Sequence, residues 1–120
     1  MKKNTQSTKS QAYIEYLPLS KILRAPRNPK DHDNGVIKAS IDRFGYVAAM
    51  ILDENSGRLV GGHGRLDVLQ RMKASGEKPP KGIQVKGKEW LIPVQRTKTF
   101  ENPEEAEAYV IADNQSTILI

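Results

Sequence analysis

The chain contains no cysteine. That absence excludes a disulfide scaffold, thiolate zinc sites, a cysteine nucleophile and all thiol redox chemistry. No stretch approaches the ~20 consecutive apolar residues that a membrane-spanning helix needs. The charged start, Met1 to Ser10, is not followed by the apolar core of a secretory signal. The sequence therefore reads as a soluble, cytoplasmic protein without a membrane partner. Aromatic residues are scarce, at 6%, and none interleaves with the basic residues as a base-stacking surface would require. Internal repeats, heptads and a helix-turn-helix pair are also missing, so no base-specific DNA readout is visible.

What is present is the make-up of one small globular domain: 120 residues, 38% apolar and 28% charged. Residues 1–12 lack periodicity and read as a disordered basic tail, with the folded domain over 13–120. The net charge of +5 favours polyanionic partners, although Lys2, Lys3 and Lys9 of the tail supply part of it.

The pattern along the chain alternates strand and helix signals, which predicts an α+β fold with a small mixed sheet and about three helices. Residues 13–19 read as a strand ended by Pro18, followed by a short element at 20–23. Pro26 and Pro29 then hold Arg24, Arg27 and Lys30 on a stiff loop. Asp33 is a good N-cap for a helix whose apolar face carries Val36, Ile37, Ile41 and Phe44, stopped by Gly45. A strand over 46–53, a turn at Asn55-Ser56-Gly57 and a strand at 58–60 come next. The glycine-rich segment 61–64 opens a helix over 65–73, with Leu66, Leu69 and Met72 inward and Asp67 placed to pair with Arg71. Residues 77–90 read as an inserted loop or hairpin before a strand at 91–94. The last helix starts clearly, with Asn102 as N-cap, Pro103 next and Glu104 and Glu105 in the first turn; Ala106, Tyr109, Val110 and Asp113 share one stripe of it.

The strongest chemical signal is Gly61-Gly62-His63-Gly64-Arg65. A strand that feeds a glycine turn into a helix start presents backbone N–H groups at the positive end of the helix dipole, which is an anion site. Arg65, in the first turn, adds a guanidinium suited to phosphate, and its stem is expected to be covered because it shares a stripe with Leu69 and Met72. The plainer alternative is a chain reversal followed by a solvated arginine. The pattern is neither a P-loop nor a dinucleotide fingerprint. With only His32 besides His63, the histidines form no convincing metal cluster. Asp113 is the second candidate, a carboxylate late in a helix where the dipole disfavours it by ~0.3–1 kcal/mol. Arg24, Arg27 and Lys30, with the tail lysines, form the third: a cationic set for weak, sequence-independent DNA contact.

Taken in order, these segments resemble the N-terminal domain of ParB-like proteins, the ParB/sulfiredoxin fold. The residues that carry the resemblance are Leu17-Pro18-Leu19, Pro26-Arg27-Asn28-Pro29, Ala39-Ser40-Ile41 through Gly45, Val60 through Arg65, Ile92-Pro93-Val94 and Ala112-Asp113-Asn114. It covers about Ile14 to Thr117.

The resemblance implies a nucleotide- or DNA-phosphate site at Gly61, Gly62, His63, Gly64, Arg65 and Arg27. It also implies catalytic roles for Asp113 and Asn114, with Asp113 helping to hold Mg²⁺ beside a nucleoside triphosphate, CTP or ATP. Gly62 to Arg65 match the family's Gly-Glu-Arg-Arg segment with only the glycine and the last arginine kept, and Thr117 stands where an arginine is usual. This looks more like the phage and prophage ParB-like nuclease domains than a partition ParB clamp. The sulfiredoxin activity needs a cysteine where His63 stands. A Mg-dependent nuclease or nucleotide hydrolase is implied first. A non-catalytic docking module for a DNA-modifying partner such as a methyltransferase, or a kinase of the free-serine type, remains open. A homodimer is a further implied assembly. The helix-turn-helix of partition proteins does not follow, so DNA specificity is expected to come from elsewhere or from a longer chain.

Overall fold

The structure, a computed structural model, describes residues 12–26 and 34–119, the last six of them as backbone. The basic tail, Arg27, Lys30, His32 and the N-cap expected at Asp33 lie outside the described residues, as do the side chains of Asn114 and Thr117. The elements run β1 (Tyr13–Pro18), a 3-10 turn (Leu19–Lys21), α1 (Asn34–Phe44), β2 (Met50–Asp53), β3 (Arg58–Gly61), α2 (His63–Ala74), β4 (Gln84–Lys86), β5 (Glu89–Thr97) and α3 (Pro103–Leu119). The predicted α+β class is observed, with a five-stranded mixed sheet in the order β1-β5-β2-β3 and β4 on β5.

β5 is the organising strand. Trp90, Ile92 and Val94 alternate into the larger core, the period of two expected of a strand with one buried face. It pairs antiparallel with β1 and β4 and parallel with β2. The sequence predicts only 91–94, with Pro93 inside it, as strand, because Pro79, Pro80 and Gly87 make 77–90 read as an inserted loop or hairpin. The structure shows why proline is tolerated there. β4 covers β5 up to Leu91 and β2 covers it from Val94 onward, so Pro93 falls in the gap between the two. Tyr46 fills that gap: its hydroxyl donates to the Pro93 carbonyl at 2.8 Å and accepts the Met50 N–H at 2.9 Å. Burial pushes the Tyr46 hydroxyl up to about 12, so it stays a donor at any physiological pH. The same role shortens the strand expected over 46–53 to Met50–Asp53, since Tyr46 bonds through its side chain rather than in a ladder.

α1 and α2 cover one face of the sheet around Met50, Leu52, Leu59, Leu66, Leu69 and Ile92, all nearly solvent-free. Leu66, Leu69 and Met72 point inward as their spacing predicts. The face assigned to α1 is only partly right. Ile41 is buried and Ile37 half-buried, but Val36 is 65% and Phe44 57% exposed. α2 covers a narrow strip of α1, and the flanking apolar residues are left as the wall of a groove. The Asp67–Arg71 pair is likewise not formed: Asp67 pairs with Arg24, which also donates to Gln70 at 2.8 Å. A partner reached through tertiary structure outcompetes an i,i+4 partner on the same helix, where such a pair contributes only ~0.2–0.5 kcal/mol.

α3 packs on β3 through a second, smaller cluster of Val60, Phe100, Ala106 and Val110. Its start is as the sequence reads. Asn102 Oδ1 accepts the Glu105 N–H at 2.8 Å, and the Glu105 carboxylate reaches back to the Glu101 N–H at 2.8 Å.

At the far end of β1, Arg96 pairs with Glu15 and Glu54, and the Tyr13 hydroxyl donates to Glu54 at 3.1 Å. Arg96 holds the Glu54 carboxyl below its ordinary range, so its contribution to stability is present above that range and lost as pH falls through the folded-state value. In pH-dependent denaturation, Glu54→Gln should be less stable than wild type at neutral pH, with the difference gone once the pH is well below the carboxylate range. A difference that does not depend on pH contradicts this reading.

Candidate functional site

The glycine turn forms because three local demands coincide. β3 runs to Gly61, and α2 begins at His63, so the chain must reverse within Gly62. It does so at φ +88°, the left-handed region, and a Cβ there would lie 2.8 Å from Met50 Cγ and 3.1 Å from Met50 Cα. Only glycine fits both the dihedral and the space. Gly61 carries no such constraint, but a Cβ there would stand 3.6 Å from an Asp113 carboxylate oxygen, in ordinary van der Waals contact, which places that carboxylate against the turn.

The helix that follows has no side-chain cap at Gly62 and no acidic residue in its first turn. Its first backbone bond is Leu66 N–H to Gly62 carbonyl at 3.2 Å, so the amides of His63, Gly64 and Arg65 precede the helical ladder. Arg65 is half-buried, as its stripe position predicts, and forms no ion pair among the described residues. It borders a groove of about 510 Å³ that includes Ile41, Phe44, Tyr46 and Val47, and lies close enough to Tyr46 to oppose the rise of its hydroxyl pKa. A cation in the first turn of a helix faces the positive end of the dipole, an unfavourable sign of ~0.3–1 kcal/mol unless an anion joins it.

Asp113 and the glycine turn, which lie about fifty residues apart in sequence, are brought together by α3 crossing β3. Asp113 flanks the turn on the α3 side and Arg65 flanks it on the α1 side. The carboxylate also raises the pKa of Tyr109, after the larger effect of burial. An anion bound at the turn would meet that carboxylate, and a divalent cation between the two would remove the repulsion. Among the described residues, no group of three His, Cys, Asp or Glu side chains could hold a metal. One carboxylate with phosphate oxygens from a ligand is, however, the usual donor set for Mg²⁺.

The other predicted residues are placed differently. His63 is 1% exposed, and its Nε2 accepts the Ala25 N–H at 3.1 Å, so it ties the segment before Pro26 to the turn instead of facing solvent. Arg24 lies against Asp67 and Gln70, its charge balanced within the fold, and its carbonyl accepts from Arg58 Nη1 at 2.9 Å.

Sequence reasoning missed a cavity of about 490 Å³ lined by Ala25, Pro26, Val60, Phe100, Ala106 and Val110. It adjoins the turn through Val60 and Asp113 through Val110, one α3 turn away. No sequence signal marks it, because three distant segments build it. Asp53, buried beneath its rim, accepts the N–H groups of Asn55 and Ser56 at 3.3 and 3.2 Å and fixes the β2–β3 turn. No helix among the described residues is long and apolar enough to cross a membrane.

No family model matches the chain, and no curated protein does. Among solved structures it is similar to a Pnob8-like ParB-N domain in a C2221 crystal form, with a TM-score of 0.54 and 14% identity over 82% of this chain. The match takes in 34% of that protein, so this chain corresponds to about a third of its length. The likeness is one of fold: the chain has a ParB-like α+β fold, as the ordered motifs imply.

Proposed function

We propose that this ParB-like domain binds the phosphates of a nucleoside triphosphate at Gly61 to Arg65. The nucleoside would occupy the adjoining apolar cavity, and Asp113 would help to hold Mg²⁺ on the phosphates. The observation that carries this reading is the joint placement of Arg65 and Asp113 on either side of an uncapped helix start. Arg65 is disfavoured by the dipole of its own helix, and a magnesium–phosphate group would offset that while placing the metal beside the Asp113 carboxylate, which lies in the middle of α3 and not, as its sequence context suggests, near the helix end. Mg²⁺, when bound, would screen the phosphate charge. The chain's own contribution is to present amides and a guanidinium to the phosphates and to exclude water on the Val60 and Val110 side.

The nuclease reading of this site goes with the phage-type resemblance, and a docking module without catalysis is its competitor. Thermal shift with CTP, ATP and GTP plus Mg²⁺ tests binding, and a plasmid-nicking assay tests cleavage. Stabilisation by one nucleotide is expected; no stabilisation and no nicking would leave the module. Asp113→Asn is nearly isosteric and should leave the fold intact while removing the Mg²⁺ dependence of nucleotide binding. Binding that keeps its Mg²⁺ dependence in that variant takes the metal role away from Asp113.

A further inference from the structure

The charges of the described chain are matched unevenly. Arg24 pairs with Asp67, Lys38 with Asp42 and Glu77, and Arg96 with Glu15 and Glu54. Other cations, Arg65, Arg71 and Lys73 among them, form no ion pair among the described residues either, but residues 78–88 are set apart by concentration: they contain Lys78, Lys81, Lys86 and Lys88 and no acidic residue. All four lysines are exposed, and none is in an ion pair among the described residues. The carboxylates that bound the stretch are engaged elsewhere, Glu77 by Lys38 and Glu89 by the Ser20 hydroxyl at 3.1 Å.

This stretch is a rigid projection. β4 and the start of β5 form a two-stranded ribbon in which Lys86 pairs with Glu89 across a turn at Gly87, φ +64°. Lys86 and Lys88 therefore flank its tip. Its root is locked to the body: the Tyr46 N–H donates to the Lys81 carbonyl at 2.8 Å, and a Cβ on Gly82 would lie 2.6 Å from the Tyr46 carbonyl oxygen. Trp90 anchors the other strand in the core. Two lysines at the tip of a rooted ribbon, with two more in the segment that leads into it, make a concentration of positive charge that a polyanion would complement.

We propose that the β4–β5 hairpin docks on the backbone of duplex DNA, independently of sequence and separately from the glycine turn. Lysines are compact charges suited to phosphates rather than bidentate base readers, and a two-stranded ribbon is narrow enough for a DNA major groove. The ribbon carries no exposed aromatic side chain to stack on unpaired bases or to anchor in a lipid interface; Val85 is its one half-exposed apolar residue.

Anisotropy of a labelled mixed-sequence duplex, titrated between about 50 and 200 mM salt, tests this. Lys86→Ala/Lys88→Ala should flatten the log-affinity against log-salt slope by about 1.8 and weaken low-salt binding roughly tenfold. Lys86→Arg/Lys88→Arg should restore both, with all three proteins melting alike by circular dichroism. An unchanged slope, a wild type that binds no duplex, or a variant that loses binding to phosphatidylserine vesicles but not to DNA overturns the proposal. The outcome is separable from that of the nucleotide site, because calorimetry with nucleotide should not distinguish the lysine variants from wild type. Duplex binding without nucleotide binding would remove only the nucleotide reading, and the reverse would remove only this one.

Discussion

Gly62→Val should destabilise the domain by about 2–5 kcal/mol, a large part of the ~5–15 kcal/mol that holds a domain of this size together. Two costs combine. A left-handed φ of +88° costs an L-residue ~1–2 kcal/mol, and more for a β-branched one. The added Cβ would also meet Met50 at 2.8 Å from a side-chain carbon and 3.1 Å from Cα. Met50 is fully buried in β2 beside β5, so its backbone cannot retreat without disturbing the parallel ladder, and overpacking of this kind costs ~1–3 kcal/mol. Urea denaturation should show a lower midpoint at an unchanged slope. A change below about 0.5 kcal/mol would mean that the turn relaxes into another conformation and that its shape is not fixed by packing.

Arg65→Ala separates binding from stability. Loss of the guanidinium should weaken nucleotide affinity by about 1.5–3 kcal/mol at low salt, the range of a charge-assisted contact. Stability should change by about 1 kcal/mol or less. The stem against the groove at Ile41 and Phe44 is lost, but a cation is also removed from the wrong end of the helix dipole, and alanine is the best helix former. Arg65→Lys should restore the affinity only in part, because it returns the charge without the planar fork. Equal affinity in wild type and Arg65→Ala, measured by calorimetry, would make Arg65 a solvated groove residue.

Local chemistry explains what could be read without coordinates. Gly45 and Gly62 both adopt the left-handed conformation that their positions require. Asn102 and Glu105 cap α3, and the stripe Ala106, Val110, Asp113 faces inward because helical spacing alone dictates it. The juxtaposition of Asp113 and Gly61 depends on where α3 crosses the sheet, and only the ordered resemblance to a ParB-like domain anticipated it. What misled was tertiary competition. Asp67 took a partner from before α1, Phe44 and Val36 were left outside the helix contact, and β5 runs beyond 91–94 at both ends because β4 pairs with its start and β2 with its second half. The apolar cavity and the lysine cluster of the hairpin were not read from the sequence. The first needs three segments to meet, and the second shows its meaning only when β4 and β5 are seen to form a hairpin with Lys86 and Lys88 at its tip.

The most direct test of the central claim follows backbone amide resonances by nuclear magnetic resonance while CTP or ATP is added with Mg²⁺. The account predicts saturable shifts concentrated at Gly62, Gly64 and Arg65, with a second set along α3 around Val110 and Asp113, and their loss in Arg65→Ala. Shifts that are absent or confined to the lysine hairpin would contradict it.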